Sequence, residues 1–345
     1  MKNSVQADRF FLLCRQITGS PDIVSKQILT GKDNIVKRFE MVFPKMLRIL
    51  GAVVVGCLLT SSAPADDLAD IRRRGVLRHL GVTYASFVME SDSGMVGLDV
   101  ELMQLFARHL GVRYELVKTT WSDVFGDLTG KKINVEGDNV VVTGTTGVRG
   151  DVIANGLTLL PYREKIVDYS IPTFPTGVWL IARADSPIKP IAPSGNIDTD
   201  IQRVKALLSK RSVLTMKNTC LDPELYGLME TGSDIRYHTA SQNLNDIAPA
   251  ILNGAAEATL LDIPDALIAL QKYPGEIKII GPVSPPQFMG VAVAKSSPEI
   301  LKAFNQFFKA CCKDGTYEIL VRKYYPSIFL YLADFFTAQK ESSDK

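Results

Sequence analysis

Histidine is scarce in this sequence: three residues in 345, His79, His109 and His238, scattered along the chain. Each reads as a structural or surface residue, and no metal ligand set is expected from them. Cysteine is nearly as thin. Of five, Cys14 and Cys57 fall in a segment expected to be removed, which leaves Cys220 and the adjacent Cys311 and Cys312. An odd number at those spacings suits neither zinc nor a disulfide framework. Basic runs are missing apart from Arg72-Arg73-Arg74, so nucleic acid is set aside as a partner. No hydrophobic run reaches the length of a stable bilayer span; the longest, Ile49 to Leu59, is too short.

That short run has a different use. Lys45 and Arg48 precede it, and Ala63-Pro64-Ala65 comes after it. This is the layout of a secretory signal with cleavage after Ala65. The sequence VVGC at 54–57 also resembles a lipoprotein box, so lipid anchoring at Cys57 stands as the alternative. Either route takes the protein out of the cytoplasm, to the periplasm. Residues 1–40 carry no usable periodicity, and the reading places the true start at Met41 or Met46. Once residues 1–65 are set apart, 30 basic and 33 acidic residues remain, so the body is close to neutral.

From residue 75 short apolar runs alternate with amphipathic stretches. Residues 76–82, 112–117, 178–184, 212–216, 235–239, 258–262, 277–281 and 289–295 read as strands. LDVELMQLFARHLG at 98–111 reads as a helix, with Asp99 at the N-cap and Gly111 just past its end. A late helix takes Ser297 as cap and Pro298 in its first turn, with Leu301, Phe304, Phe308 and Cys311 on one face and Gly315 at its end. Residues 131–151 look like an inserted hairpin or long loop. The alternation means α/β, with a mostly parallel sheet in each of two lobes. TTWSDVFGDLTG at 119–130 and TASQNLNDIAPAILNG at 239–254 form a faint internal echo, each with an aspartate at the head of an apolar helix that ends in glycine.

The stretch NGLTLLPYREKIVDYSIPTF at 155–174 makes the reading specific. Together with GMVGLDVELMQLFARHLGVRYELVKTTW, AILNGAAEATLLD and KDGTYEILVRKYYP in the family's order, it resembles the periplasmic amino-acid-binding proteins of ABC importers, solute-binding protein family 3. The resemblance covers nearly all of 70–326. It implies a type II-like periplasmic binding protein fold, each lobe a mostly parallel sheet flanked by helices, with a two-strand hinge. Lobe 1 would comprise 66–175 plus 284–345, and lobe 2 would comprise 176–283.

The resemblance also implies roles. Arg163 matches the arginine that takes a ligand carboxylate bidentately. Asn155, Gly156 and Thr158 match the turn lining that site, and Asp262 matches the aspartate that takes the ammonium group. Thr219 and Cys220 match a small-hydroxyl pair at a helix N-terminus. Tyr84 and Trp121, and with less weight Phe87, fall where rings sandwich the ligand side chain. For Asp262, capping of the adjoining helix is an equal competitor. The first aromatic segment, GVTYASF, is shorter than the family's, Cys220 replaces a hydroxyl, and the 133–148 insertion and the tail after Tyr325 have no counterpart.

The expectation is a monomeric binding protein that captures an amino acid or related carboxylate and delivers it to a membrane permease. It would work without a cofactor and without chemistry on the ligand. Two alternatives stand beside it. One is a periplasmic enzyme like the cyclohexadienyl dehydratases, with Glu90, Asp92 or Glu224 as proton donor; the other is a ligand sensor without an importer.

Overall fold

The computed structural model describes residues 67–343 except 93, 137, 138 and 242. The signal segment, Cys57 and the Ala65 cleavage site lie outside the described residues. After helix α1 (Asp67–Arg74) the chain enters strand β1 (Val76–Gly81), whose residues are almost all buried. A strand covered on both faces needs such a continuous apolar run. A small hairpin, β2 (Met89–Ser91) and β3 (Gly94–Val96), leads to helix α2 (Leu98–Leu110) and parallel strand β4 (Arg113–Lys118).

Gly111 takes the left-handed cap expected of it, but Asp99 does not cap α2. The cap position is Gly97, at φ 136°, where a Cβ would lie 2.2 Å from the Phe87 carbonyl oxygen. No side chain fits there. Asp99 is instead free to turn its carboxylate inward.

Helix α3 (Val124–Thr129) comes next, and then the insertion is a hairpin, β5 (Lys131–Glu136) with β6 (Asn139–Thr145). Strand β7 (Val152–Ile153), the single-turn helix α4 (Pro161–Glu164) and strand β8 (Val167–Tyr169) complete this part. The chain crosses at β9 (Phe174–Thr176) into β10 (Val178–Arg183), helix α5 (Ile197–Ala206), β11 (Ser212–Thr215) and β12 (Asp234–Tyr237). Helix α6 (Ile247–Leu252), β13 (Ala258–Asp262), helix α7 (Ile263–Lys272) and β14 (Ile277–Pro282) fill the second lobe. The return crossing is β15 (Gln287–Met289), antiparallel to β9, and leads to β16 (Ala292–Ala294) in the first sheet.

The span 289–295, expected as one strand, is therefore split between crossing and sheet. Gly290 lies at the break, where a Cβ would press on Leu159 and Ser170 at 3.2 Å.

The two sheets have the same plan. Their orders are β4-β1-β7-β16-β8 and β12-β11-β13-β10-β14. In each, the first three strands are parallel and the fourth, which arrives from a crossing, runs against its neighbours. Helices α3 and α6, the pair behind the sequence echo, each come directly after the outermost parallel strand, β4 and β12. The fold is a two-lobed α/β protein.

Helices α8 (Pro298–Lys313), α9 (Thr316–Tyr324) and α10 (Ala333–Ser343) end the chain. The buried stripe of α8 is Ile300, Phe304, Phe307, Phe308, Cys311 and Cys312, so Leu301 sits at its edge. The tail packs on the crossing strands. Phe336 meets Phe174 edge to face at 5.8 Å, Phe335 stacks on Phe288 at 5.7 Å, and Gln339 donates to the Pro172 carbonyl at 2.8 Å. It also reaches the second lobe, where Tyr331 meets Trp179 at 5.9 Å and Ser327 accepts from Gln271.

Phe336→Ala should lower stability by about 3 kcal/mol in urea unfolding, because a ring packed on three others is lost. Leu330→Ala, at a residue 82% exposed, should stay within roughly 0.5 kcal/mol. Equal effects would mean that the tail does not stabilise the crossing.

Candidate functional site

Arg163 sits in α4, immediately after the 155–160 turn that leaves β7. It is 2% exposed. Its Nη1 donates to the Thr158 carbonyl at 3.0 Å and its Nε to the Tyr162 hydroxyl at 3.1 Å. The ring of Tyr162 lies 5.5 Å from the guanidinium carbon and that of Phe125 5.8 Å away. Among the described residues, no carboxylate lies within ion-pairing distance of it. Burial of a cation without a counter-ion is expensive, so this arrangement is suited to receiving an anion.

The turn before it is held from three sides. Thr158 pairs with Met289, Leu159 N–H donates to the Phe288 carbonyl, and Gly290 N–H donates to the Leu157 carbonyl, which hangs the turn on crossing strand β15. Gly156 has φ 64°, and a Cβ there would lie 2.5 Å from the Phe87 ring. From below, Asp99 accepts the Gly156 N–H at 2.7 Å. Beside it His79 links the Tyr114 hydroxyl, 2.8 Å from Nδ1, to the Ala154 carbonyl. With the backbone so fixed, both polar atoms of the Asn155 side chain and the Thr158 hydroxyl are buried and have no partner among the described residues.

Asp262 ends β13 in the second lobe and is fully buried. It occupies the N-cap position of α7 but makes no capping bond. Its Oδ2 accepts from the Tyr84 hydroxyl at 2.7 Å and the Cys220 thiol at 2.9 Å, and its Oδ1 has no partner. Burial raises its pKa, opposed by those two bonds and by the charge of Arg163. Burial, reinforced by the Asp262 charge, pushes Tyr84 and Cys220 well up, so both remain protonated donors. Trp121 meets Tyr84 edge-on at 5.8 Å, and its Nε1 is buried without a partner.

The structure thus brings Tyr84, Trp121, Asn155, Gly156, Thr158, Arg163, Cys220 and Asp262 to the face between the lobes. Phe87, the less weighted of the aromatics, is the floor under Gly156 and stacks on Tyr84 at 5.9 Å. Thr219 lines a neighbouring cavity with Tyr162, but its hydroxyl is used locally. Its hydroxyl donates to Met216 O and accepts from Leu221 N–H, so it serves its own turn. Nor do Thr219 and Cys220 head a helix: the next element is a four-residue 3-10 turn capped by Asp222. The proline at 223 allows that turn to start only beyond them.

The acid candidates are on the surface. Glu90 pairs with Lys118, Asp92 is exposed, and Glu224 lies 3.9 Å from Lys217. Sequence reasoning missed Tyr162, next to Arg163, and Asp265, one helical turn beyond Asp262. Asp265 is 7% exposed, and burial followed by the Asp262 charge raises its pKa well above the usual value. The i, i+3 spacing was its only signal.

The fold is two-lobed, and Arg163 and Asp262 are both buried, with the charge of Arg163 acting on the Asp262 carboxyl. The model for bacterial extracellular solute-binding proteins, family 3, matches residues 80–146 and 140–327, and the chain belongs to that family. It is similar to the L-cystine-binding protein TcyJ of Escherichia coli (strain K12), 28% identical over 277 residues, 79% of this chain and 91% of that protein. It is also similar to a probable amino-acid ABC transporter-binding protein of Haemophilus influenzae, 26% identical over 281 residues, 79% of this chain and 94% of that one. A third similarity is to the membrane-bound lytic murein transglycosylase F of Desulfosudis oleivorans, 25% identical over 76% of this chain but only 51% of that protein. Among solved structures, a mutant ArgBP from T. maritima superposes with a TM-score of 0.60 at 24% identity, over 75% of this chain and 99% of that one. An ancestral amino-acid-binding protein described as a precursor of cyclohexadienyl dehydratase gives 0.58 at 24%, over 75% and 99%. These two show the fold.

The brace under Gly156 has a pH signature. Burial lifts the Asp99 carboxyl from 3.8 to about 7, against the opposing Gly156 bond. The folded state therefore keeps a proton that the unfolded chain releases near pH 4, and this contribution to stability is lost as pH rises through about 7. His79, lowered by burial from 6.5 to about 4, acts in the opposite sense, its contribution being lost as pH falls toward 4. Asp99→Asn keeps an acceptor for Gly156. Its stability relative to the parent should rise steadily between about pH 4 and 7 in urea titrations. A pH-independent difference would mean that Asp99 is ionised throughout.

Proposed function

We propose that this protein captures a free amino acid, or a closely related zwitterion, between its lobes and delivers it to a membrane importer of the ABC class. The observation that carries the reading is a buried Arg163 with no counter-ion among the described residues, whose charge acts on a buried Asp262 that has one free oxygen. An α-amino acid supplies both missing partners at a fixed short separation. Its carboxylate takes the guanidinium fork, and its ammonium takes Asp262. Asn155, the Gly156 backbone and Thr158 complete the carboxylate side. Cys220, on the Thr219 turn, orients Asp262, while Tyr84 and Trp121 flank the side chain.

In this reading the first lobe comprises 66–175 plus 284–345 and the second 176–283, joined at the β9–β15 crossing. A zwitterion that bridges the lobes binds the closed form better than the open one, which shifts the population toward closure. The roles for which the Escherichia coli and Haemophilus influenzae relatives are named support an amino acid as ligand and an ABC importer as destination. The signal-like segment at 46–65 supports export to the periplasm, with release after Ala65. Binding without turnover is favoured over catalysis because Glu90 pairs with Lys118 on the surface and Asp92 is exposed, while Glu224, in the cavity that Tyr162 also lines, is exposed and lies beside Lys217.

Arg163→Ala should abolish amino-acid binding in calorimetry. Arg163→Lys should weaken it at least about tenfold, since a point charge replaces a fork. Unchanged affinity in the alanine variant would remove the central claim.

A further inference from the structure

The hairpin β5–β6 does more than decorate the first lobe. With α3 and Tyr162 it encloses a cavity of about 440 Å3, walled by Trp121, Phe125, Lys131, Lys132, Val135 and Asn218, among others. A second cavity of about 360 Å3 adjoins it, sharing Val135, Tyr162 and Asn218, with Lys217 of the second lobe at its edge. These volumes fall in the range of small-molecule sites.

Two contacts join this vestibule to the central site. Tyr162 accepts from Arg163 Nε at 3.1 Å, and Trp121 packs on Tyr84, whose hydroxyl donates to Asp262. Trp121 is only 8% exposed and lines the cavity, yet its Nε1 donor has no partner.

The chemistry of the walls has a sign. The carboxylates of the hairpin cavity are engaged, whereas Glu224, which lines the second cavity, has only Lys217 at 3.9 Å. Asp127 binds Arg149 at 2.7 Å and Thr119 at 2.6 Å, Asp123 accepts from Thr120, and Asp222 accepts from the backbone of Asn218 and Glu224. Lys131 and Lys132 have no ion-pair partner among the described residues, and Lys217 has only Glu224 at 3.9 Å. In the hairpin cavity two lysine ammonium groups stand against one carboxylate, Asp123, that has no cation paired with it among the described residues.

We infer that the vestibule is a second subsite, built by the hairpin, for the far end of an amino acid whose long side chain terminates in an anionic group. The inference rests on the zwitterion reading of Arg163 and Asp262. Aromatic walls from Trp121, Phe125 and Tyr162 suit the methylene chain, and the indole N–H and lysine ammonium groups suit the terminal anion.

Two matched pairs test it by calorimetry on the full-length protein. L-2-aminoadipate and L-norleucine share a six-carbon chain, L-2-aminosuberate and L-2-aminooctanoate an eight-carbon chain, and each pair differs only in its terminal carboxylate or methyl group. L-lysine serves as the cationic control. The acid of at least one pair should bind at least about tenfold more tightly than its apolar partner. Lys131→Ala/Lys132→Ala should cut that preference to below about twofold while leaving the affinity of the apolar partner unchanged. In a Trp179→Phe background, which leaves Trp121 as the sole tryptophan, the preferred acid should shift the emission. No preference in either pair, tightest binding of lysine, a preference that survives the double variant, or tight binding without an emission shift would each overturn the inference. If Arg163→Ala abolishes binding of every ligand and no acid is preferred, the zwitterion reading stands and this one falls. Silence from all five ligands overturns both.

Discussion

A guanidinium group buried without a counter-ion is the constraint around which this protein is arranged. Arg163 has a carbonyl and a phenol as partners, but neither carries charge. The fold must hold that cation away from water while leaving a face of it available. It does so with a single-turn helix whose preceding turn is fixed by backbone bonds to crossing strand β15, by the ring of Phe87 below, and by Asp99. Side chains alone would not hold a charged group this rigidly, since each bond would cost rotamer entropy. Backbone bonds to a strand that must exist for the lobes to be joined carry no such added cost.

The same construction ties the site to the crossing between the lobes. The turn before Arg163 hangs on the strand through which the chain returns between lobes. Tyr84 and Asp262 belong to opposite lobes and share a hydrogen bond. A bond between Asn245 and the Ala85 N–H does the same a few residues away. The C-terminal helix then adds aromatic contacts on the outer side of the crossing, from Phe335 and Phe336. The hinge is therefore gripped on its inner side by the site and on its outer side by the tail.

The inserted hairpin leaves this core alone. It replaces the direct run from α3 to β7 with a two-stranded flap whose outer face is exposed, and whose inner face adds a wall beside Trp121. In the proposed reading the hairpin alters what the site can hold without altering either sheet, as loops on a rigid scaffold tune recognition.

Much of this was legible along the chain. The largely apolar runs of β11 and β13 are buried throughout and that of β1 almost so, as residue hydrophobicity leads one to expect, and Gly111 and Pro298 mark helix ends through their own backbone restrictions. Arg163 and Asp262 stood out because opposite charges occupy both positions that the family resemblance marks, although capping competed equally for Asp262. What the chain could not reveal were choices between partners distant in sequence. Asp99 looked like a cap, and only the approach of Gly156 from 57 positions away turned its carboxylate inward. Thr219 looked like a ligand-facing hydroxyl, but the proline at 223 delayed the next turn and its own backbone captured it. Local propensity thus set the strands, the helix ends and the inventory of charged groups. Which of those groups are left without a partner is a property of the closed three-dimensional packing, because an unsatisfied atom is defined by everything that surrounds it.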